Sequence, residues 1–345
     1  MPVKGLKYFK IILKLLLPVA LCIHLNASAQ DALFSQSNMS PLHYNPAFTG
    51  NTYAPLIHIN SRVQWPSVSW AYNTIGASYD QYFKRYNSGL GIYLMNDIAG
   101  NGIYINSRLE GLYSYSLRIK DNNFIKLGLS FAMVQNRLNW DKLVFYDQLD
   151  SDYGYFDELG DPNISAENRP DKLSIIYPDL AVGVMYYSEI FYAGFSLKHA
   201  NNPEASFLPK SSNADNGLSG RYSLQFGAQI PLGKKYTTKR QFVHPSVIYS
   251  KQANLEYLNI QGILDIGTIY AGIGYRHAFD NPDAVLITAG IEIGMYTIGY
   301  SYDLTVSGLS VNTGGSHELG IRLNFDKSEW FEEPFRYSDC FEIFR

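Results

Sequence analysis

Hydrophobic and polar residues alternate with a period of two along most of this chain. In 316–326, SHELGIRLNFD, the residues His317, Leu319, Ile321, Leu323 and Phe325 fall on one side, and Glu318, Gly320, Arg322, Asn324 and Asp326 on the other. Segments 190–198 and 222–230 repeat the pattern, and 103–120 is a longer version with Arg108, Glu110, Arg118 and Lys120 on its polar side. Such alternation is that of a β-strand with two unlike faces. It recurs in fourteen segments: 53–64, 68–83, 86–97, 102–120, 123–137, 178–188, 190–200, 220–232, 241–252, 254–266, 268–278, 283–293, 295–305 and 316–326.

The pattern predicts an all-β protein, and an even number of strands of about ten residues fits a transmembrane antiparallel outer-membrane β-barrel of about 14 strands. Closure is needed because hydrocarbon cannot satisfy an open strand edge. A soluble β-sandwich also alternates, so connection lengths must separate the two. The longest gaps, 138–177, 201–219 and 306–315, follow strands five, seven and thirteen, all odd. A barrel whose N-terminus is periplasmic predicts this parity, with long loops on the outer side; a sandwich does not. Only 233–240, GKKYTTKR, is a long connection on the other side. Trp65, Trp70, Tyr72, Tyr79, Tyr300 and Tyr302 lie near strand ends and read as an interfacial girdle.

The first 29 residues add a compartment. Lys4, Lys7 and Lys10 precede a short apolar run, and Ala27-Ser28-Ala29 gives a small–x–small cleavage site, so 1–29 read as a signal peptide. Without that leader, which holds four lysines and no acids, the chain keeps 24 basic and 31 acidic residues, a net −7. Nucleic acid is therefore not an expected partner. Of two cysteines only Cys340 remains, and the histidines (His43, His58, His199, His244, His277 and His317) show no metal spacing. There is no G-x-S-x-G. The expectation is a protein that is not an enzyme, with no cofactor and no metal.

Four features are candidate functional groups. Residues 30–52 open with an aromatic, proline-broken stretch that suits neither a long helix nor a strand, and read as a short N-terminal hatch. Asn45-Pro46 fixes a turn, and Phe34, Met39, Leu42, Tyr44 and Phe48 are expected to pack inside the periplasmic mouth of a barrel over 53–326. Arg62, Arg108, Glu110, Arg118, Lys198, Glu256, Glu292, Asp303, Glu318 and Arg322 fall on polar faces and are read as lumen charges of a filled, non-conducting barrel. The loop 147–171 carries Asp147, Asp150, Asp152, Asp157, Glu158 and Asp161, and is read as a solvated outer loop rather than a calcium site, since it lacks the EF-hand glycine position. The tail, 327–345, is placed in the periplasm by even strand parity. Its aromatic content argues for packing against the barrel mouth or docking on a partner.

The opening QDALFSQSNMSPLHYNPAFTG resembles the start of the PorP/SprF family of type IX secretion outer-membrane proteins, Q-D-x-x-F-S-Q…N-P-x-x-x-N-P-A-x-x-G. Gln30, Asp31, Phe34, Ser35, Gln36, Pro41, Asn45, Pro46, Ala47 and Gly50 fit, whereas Ser40 stands where the family has Asn. Arg62-x-Gln64-Trp65, Gly89-Leu90-Gly91, Asp97-x-x-Gly100, Gly299-Tyr300-Ser301-Tyr302-Asp303 and Gly315-Ser316-His317-Glu318 extend the likeness over nearly the whole chain after the leader. The resemblance implies a type IX secretion component in the outer membrane, associated with gliding. Its expected partners are other secretion proteins, a large adhesin-like secreted cargo and outer-membrane lipid. A hydrophobic-solute transporter of the fatty-acid-transporter type is the alternative; it would need an apolar pocket beside its hatch.

Overall fold

In a computed structural model, the residues described are 31–68, 72–120, 122–150, 152, 154–157, 159–207, 217–232, 241–279, 281–306, 313–327 and 342–344. The expected leader 1–29, together with Gln30, Trp70 and Glu158, lies outside them. Fourteen antiparallel strands follow in chain order: β1 Leu56–Gln64, β2 Tyr72–Phe83, β3 Ser88–Ala99, β4 Tyr104–Lys120, β5 Asn123–Leu138, β6 Ser174–Tyr187, β7 Phe191–Lys198, β8 Arg221–Ala228, β9 Phe242–Gln252, β10 Leu255–Asp265, β11 Ile269–Ala278, β12 Asn281–Ile293, β13 Tyr296–Thr305 and β14 Ser316–Asn324. After a break at Gln229, β8 continues as Ile230–Pro231. Each strand pairs with its sequence neighbours, and β1 pairs with β14 from Leu56↔Asn324 to Gln64↔Ser316, which closes the barrel. No helix among the described residues is long and apolar enough to cross a membrane.

Burial is inverted relative to a water-soluble sheet. On β1 the inward residues are His58, Asn60 and Arg62, while Ile59 faces out. On β14 Glu318 and Arg322 are buried and Leu319 is exposed. Leu109, Phe131 and Ile273 are each more than half exposed on the outer wall. A band of such residues around a closed sheet has hydrocarbon as its natural solvent. Tyr72, Tyr79, Tyr113, Tyr115 and Tyr300 add amphipathic rings to the same face.

The strand pairs joined by the long connections 139–173, 199–220 and 306–315 meet at one end of the barrel, which also carries the short turns after β3, β9 and β11. Several boundaries differ from the expectation, β1 starting at Leu56 rather than 53 and β2 at Tyr72 rather than 68. β6 begins at Ser174, not at 178, so Pro178 lies within the strand. Pro178 is tolerated because the ladder from β6 to β7 starts only at Val182↔Leu197. Where β7 is missing, the Asn201 side chain stands in for it: the Leu180 N–H donates to its Oδ1 at 3.0 Å, and its Nδ2 donates to the Pro178 carbonyl at 2.9 Å.

Candidate functional site: the filled lumen

Residues 31–52 lie within the barrel, and nearly all of them are buried. The segment keeps little regular structure: one helical turn at Pro41–Tyr44 and one 3-10 turn at Pro46–Phe48, each with proline in its first turn. That position suits proline, whose missing N–H would have no partner there. Between the turns Asn45 is extended, and its Oδ1 accepts the Ala47 N–H at 2.9 Å. Its Nδ2 donates to Gln225 Oε1 at 2.9 Å and to the Phe195 carbonyl at 3.2 Å, so one side chain both shapes the turn and fastens it to the wall. The Tyr44 carbonyl accepts from Ser196 Oγ at 2.8 Å.

The wall is carved to receive this backbone. A Cβ on Gly128 would overlap the Ala47 amide, and one on Gly183 would overlap the Asn45 side chain. Gly50 has a left-handed φ of +68°, and a Cβ there would stand 2.6 Å from the Gly89 Cα; both the turn and the close approach demand glycine. The Gly50 N–H donates to Asp80 Oδ2 at 2.6 Å, Lys126 Nζ donates to the Gly50 carbonyl at 2.9 Å, and Ser114 Oγ to the Thr49 carbonyl at 2.7 Å. Around these contacts Leu42, Ala47 and Phe48 form an apolar core with the inward Tyr93, Leu112, Phe124, Met185 and Tyr192.

Two ionic clusters hold the beginning of the segment. In the first, the Ser35 and Gln36 N–H groups donate to the two oxygens of Glu318 at 2.6 and 3.0 Å. Arg62 bridges Asp303 at 2.8 Å and Glu318 at 3.4 Å and donates to Ser35 Oγ at 2.7 Å. Arg276 joins Asp303 at 3.1 Å and also pairs with Asp283. In the second, His199 lies between Asp31 and Asp179, 3.0 Å from each. Arg108 pairs with Asp179 and, at 3.3 Å, with Glu110, while Arg221 lies 3.4 Å from Asp31. Burial pushes the Asp31 carboxyl up, yet His199 and Arg221 hold it well below the usual carboxylate range. Burial pushes the His199 imidazole down, but Asp31 and Asp179 raise it to about 9. Charges this deep are tolerable only when paired and hydrogen-bonded.

Of the expected tail, 328–341, with Trp330, Phe331, Phe335, Tyr337 and Phe341, lies outside the described residues, while 342–344 reach the same chamber. Ile343 and Phe344 are buried, the Ile343 carbonyl accepts from Arg322 Nη1 at 2.7 Å, and the Phe344 ring lies 4.8 Å from that of Phe48 and 5.4 Å from that of Tyr192.

Of the sequence-derived lumen charges, Arg62, Arg108, Glu110, Asp303, Glu318, Arg322 and Lys198 are buried inside. Arg118 is not: it is exposed near the turn into β5, because β4 runs on past the start of β3. Glu292 is only partly buried, 3.9 Å from Arg322. Glu256 sits at the rim with Tyr249 and Lys251. The sequence reading passed over Asp80, Lys126, Asp179, Arg221 and Arg276. Their signal was present, since each shares a side of its strand with buried polar or glycine neighbours, as Arg276 does with Gly272 and Gly274.

In the outer loop, Asp147, Asp150, Asp152 and Asp161 are exposed and Asp157 partly so. Their oxygens fold the loop itself: Asp147 accepts the Ala166 N–H at 2.6 Å, Asp150 the Asp152 N–H at 2.8 Å, and Asp157 the Leu159 and Asp161 N–H groups at 2.9 Å. The Ala166 N–H lowers the Asp147 carboxyl below its usual range.

Several of the separate stretches that carried the family resemblance converge on this chamber. Gly89 and Gly91 press on Thr49, Gly299 on Gln36, and Arg62, Asp303 and Glu318 form the clamp on Ser35 and Gln36. The family model described as type IX secretion system membrane protein PorP/SprF matches residues 26–323. A search of curated proteins gave no match. Among solved structures, CdiB from Acinetobacter baumannii aligns over 78% of this chain and 59% of its own at 8% identity and a TM-score of 0.43; this chain thus spans less than two thirds of that protein. Omp33 from the same organism aligns over 80% of this chain and 100% of its own at 10% identity and a TM-score of 0.40. A mutant Rh. blastica porin aligns over 78% and 98% at 4% identity and a TM-score of 0.33.

Proposed function

We infer, for a chain that belongs to the PorP/SprF family of type IX secretion membrane proteins, that it serves its machine as a closed barrel that binds protein partners. In this reading it supports export or surface anchoring of a large adhesin-like cargo, and it conducts no solutes. The observation that carries the reading is the occupant of the lumen: a segment of the chain itself, fixed by buried ion pairs and seated on glycines. A transporter of hydrophobic solutes would need an open apolar pocket beside its hatch, whereas here the apolar wall residues Tyr93, Leu112, Phe124, Met185 and Tyr192 pack on the hatch itself and Arg62, Asp303 and Glu318 clamp its start. Partner contacts then belong to the rim loops, with both termini periplasmic and the acidic loop outside. An affinity tag on the purified barrel should co-purify a large secreted protein from a type IX-competent cell; capture of none under crosslinking would refute the partner role. Protease added to intact cells should cut within 147–171 or 201–219 and spare 327–345; cleavage of the tail there would reverse the orientation.

A further inference from the structure

We propose that the outer wall over β2–β6 carries a binding site for one diacyl phospholipid, with an acyl chain in a groove centred on Gly111 and the phosphate on basic residues at the short-turn rim. The inference rests on the outer-membrane placement, and holds whether or not the chain recruits a secreted cargo.

A barrel wall is normally convex, studded by one outward side chain on every second residue. Here Gly111 leaves a gap. Its row across the sheet runs Tyr79, Ile92, Gly111, Phe131 and Leu180, and a Cβ added at Gly111 would meet nothing nearer than the Phe131 carbonyl at 4.0 Å. The result is a cavity of about 720 Å³ walled by Tyr79, Leu90, Ile92, Tyr113 and Phe131. The lining is almost wholly apolar side chain, and a methylene chain can lie over Gly111.

Chemistry at the rim names the other half of the ligand. Lys84 and Arg85, exposed in the turn between β2 and β3, are the cations set to meet the phosphate; Arg118 and Lys120, exposed at the end of β4, follow the polar, inward phase of that strand and add positive potential beside them. The Ser116 N–H donates to the Asn87 carbonyl at 2.8 Å, which ties that turn to β4 and gathers the four cations on one stretch of rim. Arg85 lies over the Tyr86 ring at 5.8 Å, an arrangement suited to the interface. From Arg118 to Gly111 the strand covers about 23 Å at roughly 3.3 Å per residue. At a tilt of roughly 40° that is about 18 Å of depth, close to one leaflet of a hydrocarbon core about 30 Å thick. A phosphate at the cations therefore brings its acyl chain to the gap. Clustered Lys and Arg beside a bilayer are the recognised attractant for anionic lipid.

Native mass spectrometry of the full-length barrel, released from mild detergent through graded delipidation, tests the site. The wild type should retain one adduct of phospholipid mass after bulk lipid is gone. Gly111→Leu should lower its occupancy about tenfold, the equivalent of roughly two lost methylene contacts, and Lys84→Ala/Arg85→Ala should lower it independently without touching the groove. Equal retention by both variants overturns the proposal. So does an adduct of lipid A mass, or an empty wild-type barrel whose Ile92 photocrosslinker captures a protein instead. Should Gly111→Leu fail to fold, the rim variant, judged against an equally folded wild type, decides alone.

Discussion

Glu318→Ala should unseat the beginning of the plug and make the barrel conduct. Glu318 accepts two backbone N–H groups, from Ser35 at 2.6 Å and Gln36 at 3.0 Å, and lies 3.4 Å from Arg62. A hydrogen bond to a charged group contributes about 1.5–3 kcal/mol. Losing the two N–H bonds therefore costs the seated plug about 3–6 kcal/mol, because the donors stay buried without partners when seated but reach water when released. Arg62 keeps Asp303 at 2.8 Å, so no charge is orphaned and the barrel wall should survive. At about 1.4 kcal/mol per tenfold, the ratio of seated to unseated plug falls by roughly 10²–10⁴. In planar bilayers the wild type should be near silent, Glu318→Ala should show frequent openings, and Glu318→Gln, which keeps shape but not charge, should fall between. Deleting 33–48 sets the fully open reference. Silent Glu318→Ala alongside a conducting deletion would refute the clamp, and a steadily conducting wild type would refute the plug itself.

Three further outcomes test other contacts. Gly128→Leu should raise conductance with the barrel still folded, since its Cβ would overlap the Ala47 amide; unchanged silence would place the plug elsewhere. Phe344→Ala should lower the thermal denaturation temperature of the purified barrel by the loss of up to about 3–5 kcal/mol, the range for a buried Phe, while cargo co-purification persists; lost co-purification at unchanged stability would make the tail a docking element instead. His199, raised from 6.5 to about 9, contributes stability that is fully present below about pH 6.5 and is lost as pH rises through about 9. Denaturation followed from pH 6 to 10 should thus show a fall that His199→Gln removes, and an identical fall in that variant would assign it to another group.

Period-two alternation determined the strands and their number, because a strand facing hydrocarbon outside and a filled lumen inside must alternate at every position, and the lengths of the gaps between them put the long loops at one end. The same logic marked Arg62, Asp303 and Glu318 as inward, and the aromatic content of 30–50 and of the tail marked both as needing cover. Tertiary structure alone decided the rest. Register brings Asp303 and Glu318 together across the β13–β14 pair, Ser301↔Glu318 and Asp303↔Ser316, and chain reversal carries Ser35 to them. The second cannot be read from spacing, since Ser35 is separated from Asp303 and Glu318 by more than 250 residues. Arg118 shows the converse limit. Its alternation is right, but depth along the strand, set by how far β4 outruns β3, puts it at the rim. The glycines of the seat were the least legible of all, because a residue without a side chain announces its neighbour only once the neighbour has arrived.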